Sequence, residues 1–102
     1  MRELVDFLLE DIDNLLARVE RQVGDPAYDD CVLNELNSIL TIMKLDIIEL
    51  DTLDDPSSIL ELKESLNKMI KEMESVIADD LYSPFRTLIW GMQQIIDLIR
   101  TN

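Results

Sequence analysis

Leu4, Leu8, Ile12, Leu15, Val19 and Val23 follow one another at steps of three and four residues, the spacing that places side chains on one face of an α-helix. The rhythm restarts three times. Val32, Leu36, Ile39, Leu40, Met43, Ile47 and Leu50 form a second stripe. Ile59, Leu62, Leu66, Met69, Ile70, Met73, Val76 and Ile77 form a third, and Phe85, Leu88, Ile89, Met92, Ile95, Ile96 and Ile99 a fourth. Between the stripes lie short breaks rich in helix-stopping residues: Gly24, Asp25 and Pro26, then Asp54, Asp55 and Pro56, then Ser83 and Pro84.

The spacing predicts a first helix over 2–23 and a second over about 29–53. A third begins at Ser57 or Ser58, and a fourth opens at Pro84. Asp29 and Asp30 suit the start of the second helix, and Ser58-Ile59-Leu60-Glu61 reads as a capping box for the third. Ser83 is a favoured cap ahead of a proline preorganised for the first helical position. Arg18 and Arg21 stand near the end of the first helix, where cations complement the dipole. Four helices of about 18 to 25 residues with short connections pack most simply as one all-α domain over 1–102, an antiparallel up-and-down four-helix bundle. The alternative is a pair of helical hairpins completed by a second copy.

Charge changes this picture more than any other property. The chain carries 22 Asp and Glu against 9 Lys and Arg and no histidine, a formal net charge of -13 over 102 residues. Such a surface repels nucleic acid and anionic lipid and attracts a basic protein. It is no solvating tail, because 47% of the residues are hydrophobic and they recur periodically throughout. Cys31 is the sole cysteine, which excludes an intramolecular disulfide and a thiolate metal cage and suits a reducing cytoplasm. Apolar runs are short, and Met1 is followed by Arg2, Glu3 and Asp6. The reading is therefore of a cytoplasmic chain with neither a membrane span nor a leader.

Without histidine, Ser-His-Asp and Cys-His constellations and histidine-ligated zinc or haem cannot form within one chain. Gly24 and Gly91 are the only glycines, too few for a phosphate-cradling loop or an EF-hand. Glu61 and Glu64 have the spacing of a helical pyrophosphatase pair, but Glu72 and Glu74 supply no matching second pair. The expectation is of no enzyme, no cofactor and no metal, with a carboxylate-bound divalent cation as the third-ranked reading.

Three features exceed what folding alone asks for. Glu3, Asp6, Glu10 and Asp13 form an acidic row opposite the apolar face of the first helix, with Glu20 further along. Neighbouring like charges on a helix cost about 0.2 to 0.5 kcal/mol per pair. The row can imitate spaced phosphates or engage a basic groove; its ordinary explanation is solubility. Asp25, Asp29 and Asp30 come to the same end of an up-and-down bundle as Asp79 and Asp80, while Asp51, Asp54 and Asp55 mark the other end. These are also ordinary turn and cap residues, although Asp79 and Asp80 near the end of the third helix oppose its dipole. Finally, Leu45 and Ile48, with Thr41 and Thr52, point away from the second stripe, Phe7 lies off the first, and Trp90 lies on the far side of the fourth. Gly91 beside Trp90 permits a close backbone approach. Trp90 either anchors a partner or fills a groove between helices.

These features point to an acidic module that binds a basic protein partner, as an inhibitor, immunity factor, antitoxin or chaperone. Glu3, Asp6, Glu10 and Asp13 would steer the partner, and Leu45, Ile48 and Trp90 would anchor it. The runner-up is a homodimeric scaffold whose second copy covers those apolar residues.

Overall fold

The computed structural model describes residues 2–99. The chain forms α1 (Arg2–Gln22), α2 (Asp30–Leu50), α3 (Pro56–Val76) and α4 (Pro84–Leu98), with one 3-10 turn at Asp80–Tyr82 ahead of α4. Helix α1 packs on α2, α2 on α3, α3 on α4, and α4 returns to α1. This closed ring is the antiparallel up-and-down four-helix bundle the pattern calls for. It measures 47 × 22 × 18 Å. Helix α2 and helix α4 stand on a diagonal, as do α1 and α3.

The fourth stripe enters the core complete: Phe85, Leu88, Ile89, Met92, Ile95, Ile96 and Ile99 are all buried. The first keeps Leu8, Ile12, Leu15 and Val19 in the core as expected, and differs at its start, where Val5 is buried and Leu4 packs at the core's edge. In α2, Leu33 is buried and Val32 half-buried. Each helix faces two neighbours, so the centre of its buried arc lies between them and need not coincide with the first apolar residue of the stripe. Val23 lies beyond the last helical residue and is exposed. There the chain turns through Gly24, whose φ of 88° is left-handed and open to glycine without steric cost. Among the described residues no polar or charged side chain is fully buried, so apolar packing alone holds the core together.

Several helix ends differ from the expected ones. Helix α3 is capped by Asp55, not by a box at Ser58: the Asp55 carboxylate accepts from the Ser58 backbone N–H at 3.2 Å and from its hydroxyl at 3.0 Å. Pro56 explains the choice, because it lacks an N–H and its fixed φ already suits the first helical position. Ser83 makes no side-chain cap and is itself helical, at φ -54° and ψ -33°, because the 3-10 turn delivers the chain into α4 already coiled. Helix α3 ends at Val76, ahead of Asp79 and Asp80, so neither opposes its last turn. Asp79 instead caps the 3-10 turn by accepting from the Leu81 N–H. Helix α2 stops at Leu50, short of the expected 53, in a turn where the Thr52 N–H reaches the Glu49 carbonyl. Helix α4 has 15 residues, fewer than the pattern suggests.

Gly91 is buried where α4 meets α1. A Cβ at that position would lie 2.7 Å from Leu8 Cδ2, so the close approach anticipated at this glycine is present.

Candidate protein-binding surface

Glu3, Asp6, Glu10 and Asp13 are all exposed on α1. Two ion pairs tie that side of α1 to α2. Arg2 Nη1 meets Asp51 Oδ2 at 2.8 Å, and Lys44 Nζ meets Asp13 Oδ1 at 2.6 Å. They set the antiparallel register, with Asp6 and Glu10 lying between the bridges on α1 and Leu45 and Ile48 between them on α2. On a helix, residues three and four apart are surface neighbours. Asp13 therefore continues to Glu10 and Asp6, and Lys44 continues to Ile48. The acidic row and the uncovered apolar residues of α2 run side by side.

On α2 the uncovered strip is larger than the sequence count suggested. Leu45 is 60% exposed and Ile48 47%, and Ile42, which lies three residues before Leu45, is 41% exposed. Ser38, Thr41 and Thr52 extend the strip without charge. Ile42 is legible in the sequence as the i-3 neighbour of Leu45, but a stripe-by-stripe count passes it over because Ile42 also adjoins Met43 of the core.

The far margin of the strip is acidic as well. Asp46, Glu49 and Glu61 line a cleft of about 230 Å³ between α2 and α3. Asp46 is held there by the Ser65 hydroxyl, which donates to its Oδ2 at 2.7 Å. Lys68 stands one turn beyond Ser65, with Glu64 and Glu72 four residues to either side of it. Leu45 and Ile48 are thus rimmed by carboxylates on both flanks, and the two cations nearest the α1 flank, Arg2 and Lys44, are already paired.

Trp90 does not belong to this surface. Its side chain is 63% exposed and borders a cleft of about 270 Å³ between α3 and α4, where Glu74, Ile77, Arg86 and Gln93 also contribute. Since α2 and α4 are diagonal, the bundle core separates Trp90 from Leu45 and Ile48. The seven expected contact residues therefore divide into six on the α1/α2 side and Trp90 on another.

The aspartate clusters are engaged in local structure. Tyr28 meets Tyr82 edge-on at 5.7 Å, which confirms that the first and third connections share an end. There Asp25 accepts from the Ala27 N–H, Asp29 from Cys31 and Asp30 from Gly24. At the other end Asp51 binds Arg2 and Asp55 caps α3. Among the described residues no three Asp, Glu or Cys side chains converge in a way that could hold a metal ion.

One carboxylate outside these groups stands apart. Asp11 lies on the α4 side of α1, in a cleft of about 390 Å³ with Asn14, Arg18, Arg21 and Thr87. Its Oδ2 is buried without a hydrogen-bond partner. Burial raises its pKa above the ordinary 3.8 by disfavouring the charged form. The sequence gives no sign of this, because Asp11 reads as one more acidic residue beside the row.

No protein-family model, curated protein or solved structure matches the chain. No helix among the described residues is long and apolar enough to cross a membrane.

Proposed function

We propose that this protein is an acidic binding module that captures a basic protein partner on its α1/α2 face, and so sequesters or inhibits it in the cytoplasm. The observation that carries this reading is the juxtaposition of the exposed row Glu3, Asp6, Glu10 and Asp13 with the uncovered Leu45 and Ile48, registered by the Arg2–Asp51 and Lys44–Asp13 bridges. Long-range attraction from a net charge of -13 raises the rate of encounter with a cation. The adjoining apolar residues add short-range burial that salt does not screen. Function by this route requires no catalytic residue, metal or cofactor.

The direct test is a comparative pull-down under a salt gradient, with wild-type protein and the E3K/D6K/E10K variant as parallel baits. Asp13 is left alone because its reversal would also break the bridge to Lys44. A stoichiometric basic protein should be retained by the wild type, released as salt rises, and lost from the variant. Identical retention and elution from the two baits refute steering by the α1 row. Recovery of only the protein's own copies favours the homodimeric scaffold.

A further inference from the structure

The uncovered strip on α2 has a shape as well as a composition. Ser38, Thr41, Ile42, Leu45 and Ile48 lie on the outward side of α2, and at 1.5 Å per residue they extend over about 15 Å, with Thr52 following in the turn beyond Leu50. Three large aliphatic side chains lie at successive three-residue steps along it. Acidic groups follow both long edges, Asp6 and Glu10 from α1 and Asp46, Glu49 and Glu61 from α2 and α3. The outline is a narrow apolar strip that crosses the outward face obliquely, because each three-residue step falls about 60° short of a full turn, with carboxylates on either side.

Resting on the function proposed above, we infer that this strip is the seat of a basic amphipathic helix in the partner. Such a helix is about ten residues long, crosses α2 at a shallow angle, and has apolar side chains at i, i+3 or i+4, and i+7 with Lys or Arg flanking them on both sides. Its apolar stripe covers Ile42, Leu45 and Ile48, while its flanking cations reach Asp6 and Glu10 on one edge and Glu49 and Glu61 on the other. An extended basic segment matches the geometry less well, because its side chains alternate between two faces at period two and cannot keep one apolar stripe between two charged edges. A second copy of this chain is a poor occupant. Strip against strip brings the two acidic margins together, with Arg2 and Lys44 already engaged within each copy, and like charges in apposition oppose association. Charge complementarity selects a partner whose margins are positive.

The test uses two synthetic peptides of equal length and composition, both free of Trp and Tyr. One arranges Leu and Lys as an amphipathic helix, and the other scrambles the order so that no apolar face forms. Affinity is measured by isothermal titration calorimetry at two ionic strengths, with Trp90 emission recorded in parallel. The amphipathic peptide should bind the wild type more tightly than the scramble. It should leave Trp90 emission unchanged, because that residue lies across the bundle. Affinity should fall on the order of a hundredfold for I42S/L45S/I48S, about fivefold for each half-exposed aliphatic side chain lost. A W90S variant, equally exposed at its site, should bind like the wild type. Equal binding of the two peptides with strong salt dependence overturns helix docking and leaves capture by charge intact. Failure of both peptides to bind at low salt overturns both readings. A shift in Trp90 emission relocates the site to α3/α4 and overturns the inference. So does a protein that is dimeric by light scattering and becomes monomeric in I42S/L45S/I48S, since the strip is then a self-interface.

Discussion

The close approach of α4 to α1 is best tested by changing Gly91. Alanine has a helix propensity better than glycine by about 1 kcal/mol, so Gly91→Ala on a solvated helix face would stabilise the protein by that amount. Here the new methyl lies 2.7 Å from Leu8 Cδ2, well inside van der Waals contact, and Leu8 is completely buried. The Leu8 methyl terminates a flexible side chain, but in a packed core it has little room, and overpacking of this kind costs about 1 to 3 kcal/mol. The net expectation is a loss of about 1 kcal/mol. Leu8→Ala alone removes a fully buried side chain and costs about 3 kcal/mol. In that background the obstruction at Gly91 is gone, so Gly91→Ala regains the propensity term and places a methyl in the new cavity. The same substitution therefore changes sign between backgrounds, with a coupling of about 2 kcal/mol. Urea unfolding of all four proteins, followed by far-UV circular dichroism, closes the cycle. Additivity within about 0.5 kcal/mol would refute the contact, and a stabilising Gly91→Ala in the wild-type background would refute it more simply.

Two further expectations follow from the helix ends and the buried carboxylate. Asp55→Ala should destabilise the protein by about 1 kcal/mol in urea unfolding, because it removes the α3 cap and both bonds to Ser58; a larger loss for Ser58→Ala would restore the capping box at Ser58 as the true start. Asp11 binds a proton to higher pH in the folded state than in the unfolded one, so its contribution to stability declines as pH rises above the ordinary carboxylate value and levels off once the folded group is ionised. Asp11→Asn should accordingly be more stable than the wild type at neutral pH, by less than the ~1 to 3 kcal/mol of a fully buried unsatisfied group because only one carboxylate oxygen is enclosed. The difference should shrink toward low pH, and a difference that grows on acidification contradicts the assignment.

The sequence made some of this surface legible and concealed the rest for identifiable reasons. The apolar arc of α4 could be read without error because Pro84 fixes where it starts and every third or fourth residue from Phe85 onward is large and aliphatic or aromatic. The outward direction of Leu45, Ile48 and Trp90 was equally readable, since it depends only on the helical angle between neighbours on one helix. Helix starts were harder. Asp55-Pro56 and Ser58-to-Glu61 are both sound start signals within a few residues of each other, and only the three-dimensional path of the chain shows which is used. Relations between helices are the least readable. Periodicity on α1 does not say whether the acidic row leans toward α2 or α4, and no local pattern announces that Lys44 reaches Asp13 across 31 positions of sequence. For the same reason the helical angle alone groups Trp90 with Leu45 and Ile48, from which the core divides it.

That division also weighs the candidate residues against one another. Solvent-facing positions of a bundle helix are best filled, for folding and solubility, by Glu, Lys, Gln or Ala, in mixed sign and without apolar patches. Trp90 on α4 and Phe7 on α1, both exposed, depart from this rule at separate points, and isolated exposed aromatics are common on folded proteins. The α1/α2 side departs from it twice, in different ways. Helix α1 sets like charges at successive helical neighbours, which weakens the helix. Helix α2 leaves Ile42, Leu45 and Ile48 uncovered, which invites association, and the β-branched isoleucines also lower helix propensity. Neither departure relieves the other within the monomer, since of the row only Asp13 has an ion-pair partner among the described residues and Ile42, Leu45 and Ile48 are uncovered. Yet Asp6 and Glu10 on α1 and Leu45 and Ile48 on α2 lie between the same two ion pairs. Features that act against folding and against solubility gather at functional sites, and an occupant that is positive at its margins and apolar between them relieves both together.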